Sequence, residues 1–399
     1  MDVVLDKGAT HDDDHSLPKV RTLVVKSMMP GKETQPRLVR KVLMASNDHD
    51  TMQPRTIFGG CYKVVLYYNN DNGEESGWSF YGWIVESLCM ALVDYPILAA
   101  RLLERDTGLE IVSIDSGFRL LSAQCQWSLS QFLDLNERDN NNSNETELVY
   151  WKEIDETSPQ FSPLCYVQAS TIISSTCTLL WVTKFECGGY SIGISCSLLL
   201  TEVLAVDNFL KKWTEIYQEM LPQNGEIKKS IFIHPLVKDH EVLPSHVISP
   251  TFSRKRAESM IFKITSTTDV MIMSINQETW RELAMLCVKD LEHKHNIQMG
   301  SKFSFLVKND SSSSSGVVTI ESCSNNGGNN VKSLGLKYQI TLATWNEFGL
   351  YDVAFCEGNK PVHVSCWVAS SVPEGHVMAM PHPRDNLSAV IIVTPPTPN

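Results

Sequence analysis

The chain has no apolar run approaching the ~18 residues that a membrane-spanning helix requires, so no span is expected. Its first residues, MDVVLDKGATHDDDH, are acidic and lack the apolar core of a secretory signal. Basic charge is scarce as well. The formal net charge of -12 disfavours nucleic acid or an anionic membrane surface as a partner, since both demand a basic face. The one short basic run, Arg254-Lys255-Arg256, reads as a solvated loop. Cys-x-x-Cys spacing is missing, and the 11 cysteines are scattered and odd in number. Several of them, Cys89, Cys187, Cys196 and Cys287, sit in apolar surroundings. That is the pattern of buried free thiols in a reducing compartment, not of a disulfide framework or a zinc site. A cytosolic protein without a metal is expected. No internal repeat is visible.

What is present describes a globular chain. With 399 residues, 43% hydrophobic and 20% charged, it exceeds one ordinary core and is expected to form two domains. Residues 1–17 are polar and read as a disordered tail. Strand-like runs follow at Lys19–Ser27 and Tyr62–Tyr68. Beyond the polar tip 69–77, Ser79 is a candidate N-cap, and Ile84, Val85, Leu88 and Leu92 recur at helical spacing. Tyr95-Pro96 ends that helix, because the residue before proline disfavours helical geometry.

Further strands are expected at Leu109–Ile114 and Phe118–Gln124, with two more across Pro163–Phe185; the Asn-rich stretch 139–144 is a loop. From Thr201 to Met220 the apolar period becomes helical, with Val206, Phe209, Leu210, Trp213, Ile216 and Tyr217 on one stripe. Residues 221–259 hold several prolines and little periodicity, as an interdomain crossover would. A strand and helix are expected within Met260–His295, loops at 309–316 and 324–330, and strands at Val317–Ser322, Gly335–Leu342, Pro361–Ala369 and Leu387–Val393. The alternation favours an α/β architecture, with domains at 18–220 and 260–399.

The most telling stretch runs from Cys187 to Trp213, CGGYSIGISCSLLLTEVLAVDNFLKKW. Gly188-Gly189 lead a buried strand into Ser197-Leu198-Leu199-Leu200-Thr201-Glu202, and a helix bearing Trp213 follows. Upstream stands Tyr95-Pro96-Ile97-Leu98-Ala99-Ala100-Arg101-Leu102, and before it Ser46-Asn47-Asp48-His49-Asp50; Pro163-Leu164 with Val167-Gln168 precede the strand. Near the C-terminus come Trp345, Phe348, Tyr351 and Lys360-Pro361-Val362. In this order the segments resemble the plant BAHD acyltransferase family. The resemblance implies a two-domain fold like that of chloramphenicol acetyltransferase, each domain a mixed sheet with flanking helices. It also implies acyl transfer from a CoA thioester to a hydroxyl or amine.

The departures gather where the chemistry would occur. The family's box is Ser-His-x-x-x-Asp-Gly, and its His takes the proton from the attacking acceptor. Leu198 holds the His place, Glu202 the Asp place and Val203 the Gly place. Leucine has no lone pair, so general-base help worth roughly 10²–10⁴-fold is lost. The family Asp orients local structure, so Glu202 is expected to be a structural carboxylate and not a replacement base. Ser197 lacks an elbow around it and is expected to be non-catalytic. The family's second signature, Asp-Phe-Gly-Trp-Gly, is reduced to Ala354-Phe355-Cys356-Glu357-Gly358, which keeps Phe355 and Gly358. Gly188, Gly189, Trp213, Phe355 and Gly358 are therefore structural positions, and Cys356 is expected to be a buried thiol. The resemblance also implies more strand and helix between residues 291 and 345 than this chain carries.

His234, His240, His246 and His363 are expected to be solvated or hydrogen-bonded side chains. His293 and His295 fall where they can meet a helix C-terminal dipole, and their spacing is no metal signature. Three functions compete. The first is a non-catalytic monomer that binds acyl-CoA or an acyl chain, or assists a protein partner, as the eceriferum-type wax-synthesis relatives do by analogy. The second is an acyl-CoA-dependent O- or N-acyltransferase with another base. The third is a cleft repurposed for lyase-type elimination. No resident cofactor is expected in any of them; acyl-CoA is the ligand or co-substrate.

Overall fold

The computed structural model describes residues 20–45, 58–69, 77–106, 108–125, 127–138, 143–172, 189–200, 206–221, 259–267, 275–309, 316–325, 337–356, 358–370, 372–382 and 385–396. In chain order they form β1 (Val20–Met28), β2 (Val39–Ala45), β3 (Cys61–Tyr68), α1 (Gly77–Asp94), β4 (Ala100–Arg105), β5 (Gly108–Ser113), β6 (Phe118–Cys125), α2 (Leu129–Arg138), β7 (Cys165–Ile172), β8 (Tyr190–Ser197) and α3 (Val206–Met220). There follow β9 (Met260–Ser266), α4 (Gln277–His295), β10 (Lys302–Asn309), β11 (Val317–Ser324), β12 (Tyr338–Ala343), β13 (His363–Ala369), β14 (His376–His382) and β15 (Asp385–Thr394).

These strands make two sheets, and the fold is α/β. One sheet has the order β1-β6-β7-β8-β3-β13, the other β12-β9-β15-β14-β10-β11-β2-β5-β4. Both are mixed. The pairs β6/β7, β10/β14 and β11/β2 are parallel, and the remaining pairs are antiparallel. Sheet membership does not follow the expected boundary at 221–259. β2, β4 and β5 join the nine-stranded sheet, whereas β13 edges the six-stranded one. Periodicity marks a strand but says nothing of its partner, so 18–220 and 260–399 describe chain order and not sheet membership. The tail 1–17 and residues 222–258 lie outside the described residues, as does Ser46–Asp50.

Central strands are covered on both faces, which is why β3 and β8 read as near-continuous apolar or small-residue runs. Leu120, Val167, Ile192, Ile194, Val64 and Leu66 share one buried cluster with Ile84, Leu88 and Leu92 of α1 and Phe209, Leu210 and Trp213 of α3. The opposite face of the same strands is polar, and the segment 143–151 crosses it as a strap. Tyr67 Oη donates to the Glu145 carboxylate at 3.0 Å, and Ser365 Oγ donates to the same oxygen. Gln168 Nε2 donates to the Glu147 carbonyl at 2.9 Å, and Ser195 Oγ donates to the Tyr150 carbonyl. The strap lies so close that a β-carbon on Gly193 would collide with the Leu148 carbonyl oxygen. Gly193→Ala is expected to cost about 1–3 kcal/mol through that overpacking. A urea midpoint equal to wild type would show that the strap yields freely.

The nine-stranded sheet uses its faces differently. One face packs Phe262, Phe303, Phe305, Val377 and Ile391 under Trp280, Leu283, Cys287 and Leu291 of α4. The other presents Leu306, Ile320, Met378, Met380 and Ile392 to the cluster that also holds the six-stranded sheet's apolar face. Tyr62 Oη donates to Met378 Sδ at 3.1 Å and so links the two sheets directly. α4 is capped at both ends: Asn276 Oδ1 accepts from Thr279 N at 2.8 Å, and Asn296 is left-handed. His293 and His295 occupy its last turn, the place the dipole reading requires.

Some local expectations need correction. α1 begins at Gly77, so Ser79 lies inside its first turn and is not the N-cap; the helical spacing of apolar letters already runs back through Tyr81 and Trp78. Pro163–Phe185 gives one described strand, β7, and residues 173–188 lie outside the described residues. No expectation covered β2, β4, β10, β14 or α2.

Candidate active site

β8 lies between β3 and β7, with Ser197 opposite Cys61 on one side and Cys196 opposite Cys165 on the other. The strand ends in a tight turn. Ser197 N donates to the Leu164 carbonyl at 2.8 Å, and Leu198 N donates to the Gly60 carbonyl at 3.3 Å. Leu200 N then donates to the Ser197 carbonyl at 2.9 Å, while Ser197 Oγ accepts from Leu199 N at 3.3 Å. Ser197 therefore closes the turn with its own side chain, a structural task. Leu198, Leu199 and Leu200 are each 0% exposed and belong to the large apolar cluster. At the place that the sequence resemblance gives to the family's proton acceptor, the chain buries three aliphatic side chains in a row. Nothing at Leu198 can take up a proton.

The sequence 189–193 also spells Gly-x-Ser-x-Gly around Ser191, a pattern associated with nucleophile elbows. Ser191 lies inside β8 and is buried, not exposed on a strand-to-helix turn. The pattern is coincidental. Gly188, Glu202 and Val203 lie outside the described residues. At Gly189 a β-carbon would come within 2.7 Å of the Tyr68 carbonyl oxygen, so glycine lets the chain enter β8 alongside β3.

Trp213 and Phe355 meet in the core. Phe355 stands edge-on to Trp213 at 4.9 Å, to Tyr217 at 5.4 Å and to Tyr68 at 5.9 Å between ring centroids. Trp213 Nε1 donates to Ser87 Oγ at 2.9 Å, tying α3 to α1. Tyr68 Oη donates to the Val353 carbonyl at 2.9 Å, and Gln218 Nε2 donates to that of Ala354 at 2.6 Å. Gly358 adopts φ 75°, a left-handed turn in which glycine is favoured. The remnant of the second signature is thus a plug that fixes the helix after the degenerate box. Cys356 is half-buried, not buried as expected, because the turn carrying it pairs with Asn359 at the surface of the plug. Cys89 is likewise half-buried, Cys196 and Cys287 are buried, and burial pushes the Cys287 thiol well up.

The remaining imidazoles divide clearly. His234, His240 and His246 lie outside the described residues. His363 is exposed, its ring 5.4 Å from that of Tyr67 and its Nε2 3.2 Å from Ser365 Oγ. Tyr67 and Cys61 are at opposite ends of β3, about 20 Å apart at strand rise, so His363 is remote from Leu198. His376, which no sequence pattern singled out, is different. It is 0% exposed, and neither ring nitrogen has a hydrogen-bond partner among the described residues. It lies between Ser304 on β10 and Thr394 on β15, two residues before the Met378 that receives the Tyr62 hydroxyl. Burial lowers its pKa to about 3, so the ring is neutral at pH 7. No cluster of His, Cys, Asp and Glu able to hold a metal occurs among the described residues, and no described helix is long and apolar enough to cross a membrane.

Comparison with known proteins agrees with the class that these elements define. The model of the Transferase family matches residues 50–303, more than half of the chain. The chain belongs to this family, the BAHD acyltransferases. It is 29% identical over 212 residues to taxadien-5-alpha-ol O-acetyltransferase of Taxus chinensis, a match covering 51% of this chain and 43% of that protein. The chain thus spans less than half the length of the curated relative that it matches. Among solved structures it is similar to vinorine synthase, at 13% identity and TM-score 0.41 over 94% of each chain. It is also similar to F. graminearum TRI101 complexed with ethyl coenzyme A, at 12% identity and TM-score 0.41, covering 86% of this chain and 92% of that one.

Proposed function

We propose that this protein is a non-catalytic member of the acyltransferase family, a cytosolic monomer that binds acyl-CoA or an acyl chain, or assists a partner that handles one. The observation that carries this reading is the burial of Leu198 at the general-base position. An acceptor cannot attack a thioester efficiently unless its proton has somewhere to go, and an aliphatic side chain sealed in the core offers nothing. Family membership supports acyl-CoA as the ligand, and the plug of Phe355 against Trp213 supports a retained scaffold.

Calorimetric titration with a long-chain acyl-CoA tests the binding. Saturable binding with the thioester recovered intact is expected; no heat and no retention on gel filtration would refute it. Leu198→His is expected to lower stability by about 1–3 kcal/mol, because it places an imidazole among apolar side chains. It should confer no transfer, since a base alone does not open a packed core. Transferase activity gained by that single change would show an open, merely base-less cleft.

One observation favours a second reading, an acyltransferase with a substitute base. His376 is a neutral imidazole, unpartnered among the described residues, and stands on β14 two residues before the Met378 that receives the Tyr62 hydroxyl. On that reading the protein releases CoA during turnover, and His376→Gln abolishes it.

A further inference from the structure

The corner where β4, β6 and β7 meet carries charge that the acyl-group reading does not use. Arg101, only 5% exposed, donates from Nη1 to the Phe161 carbonyl at 2.8 Å and from Nη2 to the Ser116 carbonyl at 2.9 Å. Arg119 donates from Nη1 to that same Ser116 oxygen at 3.0 Å and to the Phe118 carbonyl at 3.0 Å. Two guanidinium groups therefore converge on one neutral carbonyl oxygen. Among the described residues no carboxylate pairs with either. The nearby acid in the chain, Asp115, has its oxygens engaged by Thr34 N at 2.9 Å and Thr34 Oγ1 at 2.6 Å. In a protein of net charge -12, two adjacent cations without a counter-ion are a costly arrangement unless an anion joins them.

The geometry is built and held. Ser116 N and Gly117 N both donate to the Ala99 carbonyl, at 3.3 and 2.9 Å. A β-carbon on Gly117 would collide with the Ala100 carbonyl oxygen, so the turn presenting Ser116 is pressed against the start of β4. Tyr166 stands opposite Arg119 in the parallel β6/β7 register, walled by Tyr150 at 5.2 Å and Trp151 at 5.6 Å. Burial and then Tyr150 push its hydroxyl pKa up, against the pull of Arg119 and Arg101. Burial and the charge of Arg119 hold the Arg101 pKa down. Both bonds of Arg119 leave from Nη1, so its Nε–Nη2 edge has no partner among the described residues. That edge is the fork that receives two oxygens of one anion.

We infer that Arg101 and Arg119, with the Tyr166 hydroxyl, form a binding site for a phosphate group. Two full positive charges call for a dianion, which a phosphate monoester supplies and a single carboxylate does not. The Arg119 fork takes two phosphate oxygens, and Arg101, held on the shared Ser116 carbonyl, adds the second positive charge. The phosphate comes either free or as the terminal group of a nucleotide. The site stands independently of the acyl-binding proposal, since inorganic phosphate alone should occupy it.

The test is calorimetric titration of the full chain with inorganic phosphate at fixed ionic strength, in wild type, Arg119→Gln and Arg119→Lys. Arg119 is half-buried on a strand and gives no cross-chain support, whereas Arg101→Gln would release Phe161 and confound folding with binding. One phosphate per chain is expected, weakened at least tenfold in Arg119→Gln and to an intermediate degree in Arg119→Lys, with near-UV circular dichroism unchanged. Phosphate that binds neither protein, or binds wild type and Arg119→Gln alike, overturns the site. CoA and dephospho-CoA identify the source. CoA tenfold tighter than inorganic phosphate, with dephospho-CoA no tighter, marks a nucleotide site; equal affinities mark a free-phosphate site. CoA binding that ignores Arg119→Gln while phosphate also ignores it places both elsewhere and sinks the inference.

Discussion

Trp213→Ala is expected to lower the unfolding free energy by about 3–5 kcal/mol, and Phe355→Ala by a similar amount. Each removes a fully buried aromatic ring from a group in which Phe355 touches Trp213, Tyr217 and Tyr68. The tryptophan change also strips Ser87 Oγ of a donor inside the α1–α3 contact. Because the rings share a contact, the double variant should lose less than the two single losses combined. Urea denaturation of the four proteins measures this directly. Losses below about 1 kcal/mol would mean that the remnant of the second signature no longer plugs anything.

The second large effect is a pH dependence centred on His376. Its folded-state pKa lies near 3, against an ordinary value of 6.5 that the unfolded chain would show. Between these limits the unfolded chain binds a proton and the folded chain does not, so stability falls as pH falls through that window. The slope is about 1.4 kcal/mol per pH unit, and it levels off above the unfolded value and below the folded one. Carboxylates titrate in the lower part of the same window, so the informative quantity is the difference between wild type and His376→Leu. Wild type should lose about 2 kcal/mol more than the variant between pH 7 and pH 5. His376→Leu should also be no less stable at pH 7, since an apolar side chain replaces an unpaired polar one. Parallel pH profiles for the two proteins would show that the imidazole is paired or protonated in solution.

How much of this was legible in the letters differs from element to element. β8 and α3 could be read because a buried run and a helical stripe are local signals, with Gly189 at the entry to β8 and Trp213 on the buried stripe of α3. The decay of the box was visible at once, since Leu198 is wrong for proton transfer whatever surrounds it. Sheet membership was not readable. That β13 pairs with β3, or that β2 pairs with β11, depends on partners hundreds of residues apart and leaves no mark in local periodicity. The isolation of His376 was equally hidden, because a lone histidine after Gly375 looks like any other until its neighbours are in place. The same holds for Arg101 and Arg119. Each reads as an ordinary strand residue, and only the shared Ser116 oxygen brings them together. Glu145 lies beside a stretch that reads as loop, and the strap it anchors appears only when β3 and β13 are adjacent.

The proposed function rests on Leu198, a buried aliphatic side chain at the place that the resemblance gives to the family's proton acceptor. Free-thiol release from acyl-CoA is the direct measurement, made with purified protein, a panel of acyl chains, and alcohol and amine acceptors. Release at the rate of the protein-free control is expected, with and without acceptor. Acceptor-dependent release at an ordinary enzymatic rate, about 1 s⁻¹ or faster, would contradict it.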